Sequence, residues 1–470
     1  MDIFWSVLGF VVVMAIIVTI HEWGHYQVGR WFNVKVLRFS VGFGKPIYSW
    51  QRGETEFVIA QIPLGGYVKF ADEREAPVAA EDLARAFNRQ NVYKRIAIVA
   101  AGPLINLLLA WWVFAAMFMI GVSGFKPLIA SVDEQTPLAL SVADAGYSIE
   151  RFNLLAQANQ PWQLVTVNQQ DTQSWQQVQQ QLLQALALNQ KTVTVTLQND
   201  LPDSLITLQL PLAKLDINQP KQNWLSILGF KPARPDMPAV VDQVVSDGPA
   251  AKAGVQSGDK ILAIDEKPVS SWQDFVKVVQ SSANSLITLS VLRDGVELEK
   301  KLIVGSKSLP DGKRIGVIGL GVYVDPLVLQ EYSTVIRFGF LDALDKGYQR
   351  SVELVQMSLV MIQRMLIGEV STDNLSGPIS IAQFSGQALQ SGLISFLSLL
   401  GLLSLSIGIL NLLPIPMLDG GHLVYYFIEI IKGSPVSERF MIVGQMIGMA
   451  LIAGLTLLAL FNDFIRISHG

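Results

Sequence analysis

Residues 3–20 read IFWSVLGFVVVMAIIVTI, largely apolar and without a charge, and they run straight into His21-Glu22-Trp23-Gly24-His25. A run of that length nearly crosses the hydrocarbon layer, and crosses it fully if the helix continues through the pentapeptide. On a helix, positions i and i+4 share a face, so both imidazoles reach one metal ion. Two histidine nitrogens suit Zn²⁺, and a catalytic zinc site takes three protein ligands and keeps one position for water. Glu22 then stands where a general base is needed. Two histidines on a helix face without a metal is the plain alternative. Their place at the end of a membrane span weighs against it, because ionisable groups at that depth are costly and mark function.

Half of the 470 residues are hydrophobic and the mean hydropathy is +0.38. That is too apolar for an ordinary soluble protein and indicates a membrane protein with substantial soluble parts. The net charge is −4 and no basic tract is present, so nothing points to nucleic acid. With no cysteine, disulfides and thiol redox chemistry are excluded. Asp2 replaces the basic region of a signal peptide, so the first span is expected to be retained rather than cleaved.

Four membrane helices are predicted, at about Ile3–His25, Ile96–Val122, Leu393–Leu413 and Phe440–Phe461. Between the first two lie Arg30, Lys35, Arg38, Lys45, Arg52, Lys69 and further basic residues, whereas Asp2 alone precedes the first span. The positive-inside rule places this loop in the cytoplasm and both termini outside. The large middle region is then outside as well. The end of the first span and the end of the third fall on the same, cytoplasmic side.

The chain has only four histidines, and a third ligand must come from elsewhere. The third span closes on Asn411-Leu412-Leu413-Pro414-Ile415-Pro416-Met417-Leu418-Asp419-Gly420-Gly421-His422. Asp419 is the candidate, since a carboxylate oxygen is an ordinary zinc donor; an Asp in a turn before two glycines is the plain alternative. Here the chain resembles the site-2 protease family. HExxH at the end of the first membrane helix, paired with N-x-x-P-x-P-x-L-D-G in a later one, is that family's signature. Trp23 stands where the commonest family motif has Phe. The resemblance implies His21, His25 and Asp419 as zinc ligands, His422 as a non-ligand and Glu22 as catalytic base. It further implies that Asn411, with Pro414 and Pro416, helps bind the strained substrate.

Residues 34–71 alternate and carry glycine turns. Four short strands are expected, with turns at Gly42-Phe43-Gly44, Arg52-Gly53-Glu54 and Pro63 to Gly66. The plain reading is a small cytoplasmic sheet. The family reading is a membrane-associated β-hairpin sheet with Gly42, Phe43 and Gly44 at its tip, contacting substrate; an exposed sheet edge can pair with an unwound helix. Residues 72–95 read as a cytoplasmic linker. Gly102-Pro103-Leu104-Ile105-Asn106 matches the family's G-P-x-x-N, which implies a supporting or substrate-contact role for Asn106.

After the second span (96–123), residues 124–220 turn polar and Gln-rich, with Thr192–Leu197 and Ser204–Leu210 alternating as strands. Gly248 to Asp265, GPAAKAGVQSGDKILAID, resembles a PDZ domain and assigns 221–305 to one. Ser174-Trp175 and Ser271-Trp272 match, so the two regions look like a tandem repeat. Such domains take a peptide as an added strand, or serve as a filter that binds none; both readings stand. Residues 306–390 are expected to be an outer amphipathic linker, with helices on the membrane face within Tyr332–Met365. Within them, Asp373-Asn374-Leu375-Ser376-Gly377-Pro378-Ile379-Ser380 is shared with the proteobacterial branch of the family. Residues 391–439 hold the third span and a cytoplasmic loop, and 440–470 the fourth span and tail.

The expected fold is thus a polytopic α-helical membrane protein of four spans, with a cytoplasmic-side β-hairpin sheet and two tandem periplasmic PDZ domains of α+β type. The implied function is an intramembrane zinc metalloprotease of the bacterial inner membrane. Its substrates would be transmembrane segments of single-pass proteins, an anti-sigma factor already cut on its periplasmic side and remnant signal peptides, with the PDZ pair gating by size. Membrane lipid is the other expected partner. The alternative is a non-proteolytic PDZ sensor or scaffold.

Overall fold

The computed structural model describes residues 3–157, 161–199, 201, 204–216, 223–233, 235, 237–308, 314–370 and 376–469. Of the shared stretch at 373–380, Asp373, Asn374 and Leu375 lie outside these residues. The chain forms two compact units, one of Met1–Val122 with Val335–Ser468 and one built on Ser123–Thr334.

The first unit holds α1 (Ile3–Trp31), β1 (Val36–Arg52), β2 (Thr55–Phe70), α2 (Val92–Ile120), α3 (Phe340–Leu366), α4 (Pro378–Gln390), α5 (Leu393–Leu412), α6 (Asp419–Lys432) and α7 (Glu438–His469). Among the described residues, α1, α2, α5 and α7 are long and apolar enough to cross a membrane. α2 is the hub and packs on α1, α3, α5 and α6. It starts four residues before the predicted span, because the Asn91 side chain caps the backbone N–H of Tyr93 at 2.9 Å. Small residues let its neighbours approach to backbone contact, as at Gly347 against Ala115 and Gly408 against Pro103. Ala110, Phe114, Leu354, Leu405 and Ile409 close the apolar interior between α2, α3 and α5.

α3 corrects an expectation. It does not lie across the end of the bundle but runs lengthwise along α2, burying Ala343, Gly347, Ser351 and Leu354. That stripe of mostly small residues lets it approach α2, and the Trp111 indole N–H bonds the Leu344 carbonyl at 2.8 Å. Its charges on the other faces hide this packing from a hydropathy reading.

β1 and β2 resolve into four runs by register. Residues 36–41 lie in the middle, paired with 66–70 on one side and with 56–59 on the other, where 48–52 also pairs. The turn at Gly53 (φ +62°) closes the end where Val36 and Phe70 enter, with the Thr55 hydroxyl bonded to the Val36 carbonyl at 2.9 Å; Gly42 and Gly44 (φ +95° and +93°) bend β1 between its two runs at the opposite end.

Ser376 to Ser380 is a helix start. Asp463 of α7, 1% exposed, accepts from the backbone N–H groups of Gly377 (3.0 Å), Ile379 (3.0 Å) and Ser380 (3.1 Å) and from the Ser380 hydroxyl. A carboxylate there satisfies the orphan donors of α4 and complements its dipole. Asp463→Ala is therefore expected to cost on the order of 3 kcal/mol. It should lower the thermal midpoint in detergent and open the α4–α7 contact to protease; an unchanged midpoint would contradict the capping role.

The second unit contains two similar halves. In the first, an antiparallel sheet runs in the order Ile206–Pro211, Thr192–Gln198, Trp162–Val167, Leu128–Val132, Phe230–Pro232. The second half carries Lys267–Pro268, Lys260–Ile264, Leu286–Arg293 and Val296–Ile303 in that order. Each has a tight turn with two positive-φ residues, Asn168-Gln169 and Asp265-Glu266. The Asn168 and Asp265 side chains accept from Thr194 N–H (3.0 Å) and Thr288 N–H (2.8 Å) in turn. Each also has a Ser-capped helix, Trp175–Ala187 and Trp272–Ser281. Two boundaries move. The first half extends past residue 220, since Phe230 pairs with Val132 and joins the core. The second extends past 305, since Val322 pairs with Val241. Both additions are short strands supplied from far along the sequence, which local alternation cannot reveal.

Asp259, fully buried, accepts from Arg293 Nε (2.6 Å) and Nη2 (2.8 Å) and from Gln256 N–H (2.9 Å). Burial alone would raise its carboxyl, but the Arg293 fork outweighs it and holds the group below its usual value. A depressed folded value means the pair's stabilisation is fully present above about pH 4 and is lost as pH falls below it. Asp259→Ala is expected to speed hydrogen exchange in Lys260–Ile264 at pH 7, with a smaller difference from wild type near pH 3. Equal exchange at pH 7 would contradict this.

Candidate metal centre

His21, Glu22 and His25 sit on the buried side of α1, each no more than 9% exposed. Asp419 opens α6, and the loop before it aims the carboxylate. Met417 takes φ +94°, a conformation costly for a residue other than glycine, so the surroundings must impose it. Gly420 and Gly421 let the turn fold onto the carbonyls of Leu412, Leu413 and Ile415. Arg95 of α2, 6% exposed, bonds Glu429 at 2.6 Å and stacks over Tyr426 at 4.9 Å, tying α6 to α2.

The three ligand candidates converge. His21 Nε2 is 3.2 Å from Asp419 Oδ2 and 3.2 Å from His25 Nε2, and His25 Nε2 is 3.6 Å from Asp419 Oδ2. Ligands of a tetrahedral zinc at 2.0–2.1 Å stand about 3.3 Å apart, so this triangle fits the ion. The chemistry of the donors fits as well: two imidazoles and one carboxylate, a catalytic rather than a structural set. His25 Nδ1 lies 2.8 Å from the Ile98 carbonyl, which holds its ring with Nε2 toward the shared point. Glu22 belongs to none of the three ligand positions.

A cavity of about 950 Å³ opens over this triangle. Its walls come from α1, β1, β2, α2, α5, α6 and α7 and include Glu22, Asn411 and Phe43. Of the residues expected to contact substrate, those last two line it. Gly42, Gly44, Pro414 and Pro416 do not. Gly42 packs on the Ala60 and Ile62 carbonyls, and Pro416 lies under Gly448 of α7, so these residues shape the walls. Asn106 is also off the cavity. It is fully buried, with its amide nitrogen 3.2 Å from His21 Nδ1, so what it contacts is a candidate ligand rather than the cavity. His422 lines the cavity without belonging to the ligand group.

Two features escaped the sequence reading, and a third, Gly102, was seen there only as part of the G-P-x-x-N match. Gly66 lies against Glu22: a Cβ there would stand 3.0 Å from Glu22 Cγ. The run Gly65 to Val68 thus borders Glu22, and the Gly-Gly pair was its only signal. Gly102 touches both imidazoles, a contact that only the crossing of α1 and α2 creates. Tyr425, on the cavity wall, has a buried hydroxyl without a partner among the described residues.

Comparison with known proteins places these features in a context. A model described as Peptidase family M50 matches residues 9–455. The chain is 37% identical over 470 residues to the regulator of sigma-E protease RseP of Salmonella typhimurium, covering 99% of this chain and 100% of that protein. It is 37% identical over 466 residues to the protein of the same name in Escherichia coli, covering 98% and 99%. Among solved structures, the PDZ domain of an SdrC-like protein from Listeria innocua aligns at 22% identity with a TM-score of 0.16, covering 19% of this chain and 96% of that one.

Proposed function

The chain belongs to peptidase family M50 and is a zinc metalloprotease, and from that premise we propose that it cuts single-pass membrane proteins within their transmembrane segments. The observation that carries this is the 3.2, 3.2 and 3.6 Å ligand triangle with Glu22 beside it, on helices apolar enough to lie in the bilayer.

His21, His25 and Asp419 would hold the zinc. When bound, the ion brings a water's pKa toward neutrality and polarises the scissile carbonyl. Glu22 takes the proton of the attacking water on its carboxylate and returns it to the leaving amine. A peptide bond inside a helix is shielded, so the substrate must be extended first. The 65–68 run beside Glu22 offers a strand edge for that pairing. Asn411 and Phe43 contact the extended segment.

The basic loop between the first two spans puts this chemistry near the cytoplasmic face of the inner membrane, with both termini and the two-half second unit outside. Those halves are read as PDZ domains that exclude substrates with bulky outer parts. The names of the relatives point to regulation of a sigma-E factor; with the family resemblance, this supports a membrane-tethered anti-sigma factor already shortened outside as one substrate class and remnant signal peptides as a second. The test uses purified full-length protein in detergent and a single-span test substrate. Cleavage inside the apolar segment, lost with a chelator and restored by zinc, is expected. Cleavage only outside that segment, or cleavage that resists the chelator, would overturn the reading.

A further inference from the structure

We infer that Asn106 is a positioning residue that sets the tautomer of His21 by accepting its Nδ1 proton, so that Nε2 is free to bind the metal. This rests on the zinc reading of the site.

A neutral imidazole carries one proton on one of its two nitrogens. His21 Nε2 faces Asp419 Oδ2 and His25 Nε2, each at 3.2 Å, so this is the ligating atom. The proton must then sit on Nδ1 and needs an acceptor. The group there is the amide of Asn106, its nitrogen 3.2 Å from the ring nitrogen. Two donors would face each other. The Asn106 amide oxygen, meanwhile, is buried and without a partner among the described residues. The two ends of an amide have nearly the same shape and are assigned by their hydrogen bonds. Rotating it by 180° places the oxygen on the His21 Nδ1–H and removes the clash. The other orientation goes with a proton on Nε2, pointing at Asp419, which blocks the metal position. The amide therefore has two settings, and only the accepting one leaves His21 Nε2 free to ligate.

His25 supports this reading. Its Nδ1 also meets an oxygen, the Ile98 carbonyl, at 2.8 Å. Asn106 itself is held in place, because Ser404 of α5 donates to its backbone carbonyl at 2.8 Å. A fully buried Asn inside an apolar helix breaks the local preference, and residues that break local rules are expected at functional positions.

The test measures zinc affinity by chelator competition on the full chain in detergent, for wild type, Asn106→Leu and Asn106→Asp. Leu keeps the volume and removes the acceptor, whereas Asp is an acceptor of similar size. The expected result is zinc binding weaker by 10–100-fold for Leu and within a few-fold of wild type for Asp. Equal affinity for wild type and Leu, or an Asp variant as weak as Leu, overturns the inference. Wild type that binds no zinc overturns the reading of the site itself. Independent of any variant, ¹⁵N-histidine spectra of the zinc-loaded protein should show the Nδ1–H form for His21; a protonated Nε2 there also overturns it. Only four histidines contribute to those spectra.

Discussion

Glu22→Gln is expected to keep about one zinc per chain, as the three-ligand set requires, while cleavage of a single-span substrate falls by about 10²–10⁴-fold. The two halves of this result have separate causes. Zinc is retained because the ligand atoms are on His21, His25 and Asp419, and Glu22 is not among them. Gln has nearly the same shape, so the wall formed with Gly66 survives. What disappears is a carboxylate able to take a proton. The loss should fall on kcat, since the cavity that receives the substrate is unchanged. Metal analysis and single-turnover cleavage on the same preparation check both halves. A variant that cuts as fast as wild type would remove Glu22 as base. A variant that loses its zinc would make it a ligand or a structural support instead.

Gly102→Ala is expected to abolish both zinc binding and cleavage while the protein stays folded. A Cβ at this position would lie 2.2 Å from His25 Nε2 and 2.8 Å from His21 Nε2, inside the space the ion needs. Neither ring can swing away easily, because Ile98 and Asn106 hold the Nδ1 atoms. Nor can the helices part: Gly24 of α1 is pressed on the Ala101 carbonyl of α2, where a Cβ would come within 2.6 Å. The sign of the effect is informative. In a helix interior Ala is favoured over Gly by about 1 kcal/mol, so a purely local account predicts a slightly stabler, active enzyme. Zinc titration and a thermal midpoint on one sample separate the two. A variant that still binds zinc would show that the interface relaxes more readily than its contacts suggest.

The same glycine shows where sequence reasoning stops. Gly102 is visible beside Pro103 in an apolar run, and small residues there signal close helix packing. Which side chains it meets depends on how α1 crosses α2. The Asn106 contact is of the same kind, linking residues 85 apart in the chain. So are the Asp463 cap on Gly377, 86 residues apart, and Phe230 joining the sheet beside Val132. In the hairpin, the glycine turns were legible but their roles were not. Gly42 and Gly44 mark a bend, and Gly66, read only as part of a turn, borders the base.

By itself, then, the sequence determined what local spacing can encode: an i, i+4 histidine pair, a base between them, the apolar runs and the Pro-Pro-Asp loop that ends one of them. These carry their chemistry in residue type and periodicity, so a linear reading recovers them. The tertiary structure alone decided which groups surround that chemistry: the amide on His21, the glycine under both imidazoles, the strand beside Glu22, and α3 running along α2 instead of across the bundle. Each of these is a contact between distant segments. Its geometry is set by helix crossings and strand register, for which a single chain offers no repeating signal.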